Sequence, residues 1–222
     1  RIFLEDVLGA YWQLRRNQPL SVLPPHTTYT QWLQASNVNA RTTELAYWQQ
    51  FQAIAPGLPP LDHPEGARTY GQMERVFVSL NSAETESFLQ HVPQIAQAEM
   101  NEIVLTALAL ALAQWTDSRN VLLEIERNAR QRALPGLDVT RTIGWFAARF
   151  PLWLDMDKNA EATAALRSVQ AQLRAVPETG FSYGWVRYRQ QEATQAVLRV
   201  LPQPQIRFRY LDLMTESQDW QV

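Results

Sequence analysis

From the first residues on, apolar side chains recur three and four positions apart, with Leu4, Leu8 and Tyr11 on one line and Phe3, Val7 and Leu14 on another. That spacing predicts a helix with one buried face. No capping residue precedes it, which raises the expectation that upstream sequence completes the element. Leu23-Pro24-Pro25 interrupts the pattern, because proline disfavours helix at the residue before it. Two amphipathic stretches follow, a short one around Thr30 to Ala35 and a longer one from about Thr43 to Ile54. The second sets Leu45, Trp48 and Phe51 on one face and Glu44 in its first turn, where the helix dipole favours a carboxylate. Residues 55 to 73 carry Pro56, Gly57, Pro59, Pro60, Pro64, Gly66 and Gly71, so a long loop and a lobe boundary are expected there.

Beyond the loop, Val76, Val78 and Leu80 alternate with Arg75, Phe77 and Ser79, the period of a strand with one face on a core. Asn81 and Glu84 have the spacing of a capping box, predicting a helix from Ser82 to about Gln97. A second helix is expected from near Asn101. Ile103 to Trp115 is apolar nearly all round, which places it in the middle of its lobe. At about a dozen residues it falls short of the roughly 20 that a membrane span needs. Val121 to Ile125 reads as a buried strand, Leu134-Pro135-Gly136 as a turn, and 147–155 as another strand. Asn159 is the expected cap of a helix through Ala175, with Ala162, Leu166, Val169 and Leu173 facing inward. Gly180 precedes a short helix through Arg189, and Ile206, Phe208 and Tyr210 alternate as a last strand. Helices and strands alternate, so the expected fold class is a layered α/β architecture.

Composition narrows the chemistry. The 222 residues are 46% hydrophobic, enough for a substantial core, and 20 basic against 22 acidic side chains give a net charge of -2. That balance lacks the basic footprint of a nucleic-acid binder. With no cysteine there is no disulfide, zinc-thiolate or thiol chemistry, and His26, His63 and His91 have no metal-ligand spacing, so no metal site is expected. The eight glycines form no phosphate loop, and no G-x-S-x-G elbow occurs.

Two segments remain as candidates. In Glu124-Ile125-Glu126-Arg127-Asn128-Ala129-Arg130, the two carboxylates share a face if the strand runs through both. The structural reading carries the greater weight here: both are matched by Arg127, Arg130 or Arg132 at an edge. The functional reading puts one carboxyl beside a substrate carbon acid, its pKa raised by burial. In Thr142-Ile143-Gly144-Trp145-Phe146, a glycine and two aromatics suit either core packing or a wall along a ligand tunnel.

Taken in order, these segments resemble the condensation and epimerization superfamily of nonribosomal peptide synthetases, and the epimerization branch more closely. RIFLEDV is similar to the segment after that family's HHxxxD motif, followed by LPPHTTYTQW, ELAYW and MNEIVLTALALALAQWT. EIERNAR stands against M-E-G-H-G-R, DVTRTIGWF against D-L-S-R-T-V-G-W-F, FSYGWVRY against G-Y-G-x-x-R-Y, and IRFRYLDL against F-N-Y-L-G. The resemblance implies a chloramphenicol-acetyltransferase-like fold of two α/β lobes, with 1–73 finishing the first and 74–222 forming most of the second.

It also implies a carrier-protein partner that delivers a thioester-bound substrate on phosphopantetheine, neighbouring synthetase domains, no directly bound cofactor and a cytoplasmic location. By the resemblance Glu126 is one of two proton-transfer groups and the other is the HHxxxD histidine, upstream of Arg1. Residues 1–222 alone are therefore expected to be inactive. Asn128, Arg130, Gly144, Trp145, Phe146 and Tyr210 are the implied substrate-side residues. Arg127, Asn128 and Ala129 depart from the motif's glycine, histidine and glycine, and Arg209 from the asparagine of F-N-Y-L-G. Amide-bond condensation is the alternative activity, and a degenerate domain that only binds its carrier is a third.

Overall fold

The computed structural model describes residues 2–21, 27–37, 44–67, 69–131, 134, 136–188 and 192–211. The Leu23-Pro24-Pro25 break, His26, Arg132, Pro135 and Arg189 lie outside them. Helices α1 (Ile2–Arg15), α2 (Tyr29–Asn37) and α3 (Leu45–Gln49) precede the proline-rich loop. Helices α4 (Ser82–Gln90), α5 (Val92–Ala96) and α6 (Met100–Trp115) follow it. The remainder is β1 (Asn120–Asn128), β2 (Ala147–Asp155), α7 (Ala162–Ala175), α8 (Tyr183–Tyr188), α9 (Glu192–Arg199) and β3 (Ile206–Arg209). The strands form one sheet in the order β2-β1-β3, so the α/β class expected from the alternation is what forms.

The chain divides into two compact units, each built from discontinuous segments. The first comprises Arg1–Gln50, Ile125–Phe150 and Gly180–Leu201. Its aromatic cluster gathers Trp32, Phe146 and Phe181 with Ala129, Leu134, Val139 and Ala148. A separate point of support is Trp48, fully buried, whose ring meets Tyr183 edge-on at 4.8 Å. Beside it, burial pushes the Tyr47 phenol up to about 12. Gly180 belongs to this unit at φ +80°, and a Cβ there would lie 2.0 Å from the Phe150 ring, so both backbone and space demand glycine.

The second unit comprises Phe51–Glu124, Pro151–Thr179 and Pro202–Val222. Here α6 packs on α7, burying Leu105, Ala109, Leu112 and Ala113 from one and Ala165, Leu166, Val169 and Leu173 from the other. Phe51 stacks on Trp153 at 5.5 Å, and the Gly57 N–H bonds the Asn120 carbonyl at 2.8 Å, tying the long loop to the start of β1.

Several elements depart from the periodicity. Residues 75–80 form no strand, and Val76, Phe77 and Val78 are 89%, 85% and 91% exposed. A strand exists only as a pair, and among the described residues nothing pairs with this one. Helix α1 forms as expected, but no residue of it is buried and Phe3, Leu4, Val7 and Leu14 are exposed. Local spacing sets the helix; a packing partner for its apolar face is a separate requirement.

The helix expected from Ser82 to Gln97 has the foreseen box, with Asn81 and Glu84 bonding reciprocally at 2.9 Å. It breaks at His91, because Pro93 cannot donate into a continuing helix and instead sits in the first turn of α5. Helix α6 is not enclosed: Ala107 and Ala111 face solvent, where small side chains lose little, and Trp115 at its last turn is 61% exposed. Of the helix expected over 43–54, residue 43 lies outside the described residues and 44–54 hold only the short α3. Glu161, not Asn159, precedes α7, and Ala165 takes the inward place expected of Ala162, which is exposed.

Candidate functional site

Strand β1 reaches Asn128, so Glu124 and Glu126 do lie on one face of it. Ala129 N–H bonds the Phe146 carbonyl at one end and Met156 N–H bonds the Arg119 carbonyl at the other, both at 2.8 Å. These bonds fix an antiparallel register with β2 in which Glu126 stands opposite Arg149. The Arg149 Nε donates to Glu126 Oε2 at 2.9 Å. The Glu126 side chain is 5% exposed and that of Arg149 49%, so the guanidinium is the outward member of the pair. Glu124 is bonded instead by Arg207 of β3. Both carboxylates thus have arginine partners, as the structural reading expects, and the neighbouring strands supply Arg149 and Arg207, which lie outside the 124–130 segment.

Arg127 lies over the Phe150 ring at 5.9 Å. Asn128 is exposed at the end of β1 and accepts the Arg130 backbone N–H at 2.9 Å. Arg130 is a clasp. Its Nη1 donates to the carbonyls of Val139 and Thr142, the latter at 2.8 Å, and its Nη2 to that of Gly144 at 3.3 Å. The guanidinium also covers the Phe146 ring at 4.1 Å, and burial draws its pKa below the ordinary arginine value. Charged donors to backbone oxygens are the stronger kind of hydrogen bond, so this contact fixes the course of 139–144.

The segment after the clasp is held from the other side as well. The Tyr29 hydroxyl donates to the Trp145 carbonyl at 3.2 Å, and the Thr142 hydroxyl to that of Thr27. A Cβ on Gly144 would fall 2.6 Å from the Tyr29 ring, so the close approach that needs this glycine comes from Tyr29. Phe146 is buried against Trp32 at 4.6 Å, in contrast to Ile143 and Trp145, which are 63% and 62% exposed. The core-packing reading therefore holds for Phe146, while the middle of the motif presents two large apolar side chains outward. Arg141 pairs with Glu5 and Asp6, attaching α1 to the same region.

Glu126, Asn128, Arg130, Gly144, Trp145 and Phe146 all belong to the first unit, and Tyr210 to the second, half-buried just after β3. Arg149 escaped the sequence reading, although a lone arginine inside the apolar run of β2 calls for a partner. Among the described residues no group of three or more histidine or acidic side chains could hold a metal ion, and no single helix is long and apolar enough to cross a membrane.

A family profile described as "Condensation domain" matches residues 1–222. A linear gramicidin synthase polypeptide from Brevibacillus parabrevis is 32% identical over 98% of this chain and 4% of its own length. Surfactin synthase subunit 1 of Bacillus subtilis (strain 168) is 34% identical over 99% of this chain and 6% of its own. The chain thus spans a small fraction of the length of these relatives.

Among solved structures, the epimerization domain from the third module of tyrocidine synthetase B superposes with a TM-score of 0.80 at 28% identity, over 93% of this chain and 47% of that one. The first condensation domain of the CDA synthetase matches in fold, at a TM-score of 0.59 and 18% identity over 80% of this chain and 39% of that one. These neighbours share the chloramphenicol-acetyltransferase-like fold, which is the fold class of this chain. The chain belongs to the condensation-domain family of nonribosomal peptide synthetases.

Proposed function

We propose that the domain to which these residues belong inverts the α-carbon of an aminoacyl or peptidyl thioester, delivered on the phosphopantetheine of a carrier domain within a cytoplasmic synthetase. The observation that carries this reading is Glu126: it occupies the place of the motif's glutamate and sits on the strand face it shares with Arg149. The similarity to an epimerization-domain structure at 28% identity supports the same choice.

In this reading Glu126 takes the α-proton. The C–H electron pair moves into the thioester as an enolate, and a second acid returns a proton to the opposite face. The resemblance gives that second role to a histidine outside residues 1–222. The bond from Arg149 holds the carboxyl in one orientation, and Ile143 and Trp145, on the backbone fixed by Arg130, supply apolar surface for the acyl chain. Asn128 and Tyr210 remain substrate-side candidates. Residues 1–73 are assigned to the first lobe and 74–222 to the second.

Amide-bond formation is the second reading, favoured by the departures at Arg127, Asn128 and Ala129. The test is to load a carrier with one stereoisomer, add the intact domain, release the acyl group and separate the enantiomers. Epimerization gives both isomers. A single retained isomer, with a new peptide formed when donor and acceptor carriers are both supplied, would establish condensation instead.

A further inference from the structure

We infer that Arg149 is a catalytic residue of this reaction, the electrophile that holds the enolate oxygen; the inference rests on the epimerization reading. Three observations lead to it. The Arg149 Nε is spent on Glu126 Oε2 at 2.9 Å, whereas its two terminal Nη groups make no hydrogen bond with any described residue. The carboxylate lies beneath, 5% exposed, and the guanidinium above, 49% exposed, so a ligand approaching this strand face meets the arginine first. The antiparallel register sets the two residues opposite each other, which holds base and cation at one fixed separation on two strands.

A guanidinium bonded to the base through Nε directs three of its four Nη hydrogens away from it, a geometry suited to a substrate carbonyl whose α-hydrogen faces the carboxylate. As Glu126 removes that proton, the electron pair forms the C=C bond of the enolate and the carbonyl π pair settles on oxygen, where the Nη hydrogens meet it. Collapse of the enolate sends the pair back to the α-carbon, which takes its new proton from the acid on the other face. No oxidant or further reactant is needed. Donors aimed at the charge that develops in a transition state act chiefly on kcat, by about 100- to 1,000-fold per donor.

The experiment uses the intact domain with a carrier-bound single stereoisomer in deuterated water, following deuterium at the α-carbon. Arg149→Met is expected to lower the exchange rate at least about 100-fold with little change in the apparent KM for loaded carrier. Added methylguanidinium should restore part of that rate, and Arg149→Lys, which keeps the charge but not the fork, should fall between. Thermal melts of both variants establish that they are folded, and rescue is read on whichever is. A wild-type rate in folded Arg149→Met, or a loss that methylguanidinium leaves unchanged, overturns the inference and leaves the epimerization reading standing. No exchange in the wild type overturns both.

Discussion

Glu124 and Glu126 are the same residue, two positions apart on one strand face, yet the two carboxylates live differently. Glu124 belongs to the second unit and bonds Arg207 of β3, with the side chains 27% and 50% exposed. Glu126 belongs to the first unit, bonds Arg149 of β2 and is nearly covered. An exposed ion pair contributes little, because water solvates both partners almost as well apart as together. Covered charge is costly to bring in, so a carboxylate at the Glu126 position without its guanidinium would be strongly disfavoured. Alternation along a strand sets which face a residue takes; the flanking strand sets what it meets there.

The largest change to this contrast should come from unbracing the Glu126 end. Arg130→Met leaves the carbonyls of Val139, Thr142 and Gly144 without their shared donor and strips the cation from the Phe146 ring. A loss of about 2–4 kcal/mol is expected in urea unfolding followed by tryptophan fluorescence. An unchanged midpoint would mean that the clasp adds nothing to the fold.

A smaller effect, confined to alkaline pH, is expected at Tyr47. Its phenol is raised to about 12 by burial, against 10.0 when exposed. The unfolded chain therefore loses its proton first, so the stability due to this group is complete below pH 10 and drains away as pH climbs toward 12. In Tyr47→Phe that share of the alkaline loss should vanish. A difference between the two proteins that stays constant over this range would contradict the burial of the phenol.

The smallest effect belongs to Glu124. Glu124→Gln should change stability by less than about 1 kcal/mol and leave the exchange rate within about twofold of wild type. A large loss of activity would erase the distinction between the two glutamates.

Much of this architecture is legible in the amino-acid order. The strand at 147–155 follows from a short apolar run, the last strand from period-2 alternation, the start of α4 from the capping-box spacing of Asn81 and Glu84, and the inward face of α7 from Leu166, Val169 and Leu173. Partnership is what alternation does not encode. Val76, Val78 and Leu80 have the spacing of a strand without one to pair with among the described residues, and the α1 face is apolar without being covered by them. The pairing of Glu126 with Arg149 spans 23 positions and depends on the β1–β2 register, which no local pattern specifies. Arg130 stands out in the sequence as a charge near the candidate carboxylate, but its work on three carbonyls appears only when 139–144 folds around it.

The central claim is that Glu126 exchanges a proton with the substrate α-carbon. Its most direct measurement is the rate of α-deuterium incorporation by the intact domain in deuterated water, compared among wild type, Glu126→Gln and Glu124→Gln. Incorporation in the wild type and in Glu124→Gln, with a fall of at least about 100-fold in Glu126→Gln, is the predicted result. Equal incorporation in wild type and Glu126→Gln would contradict it.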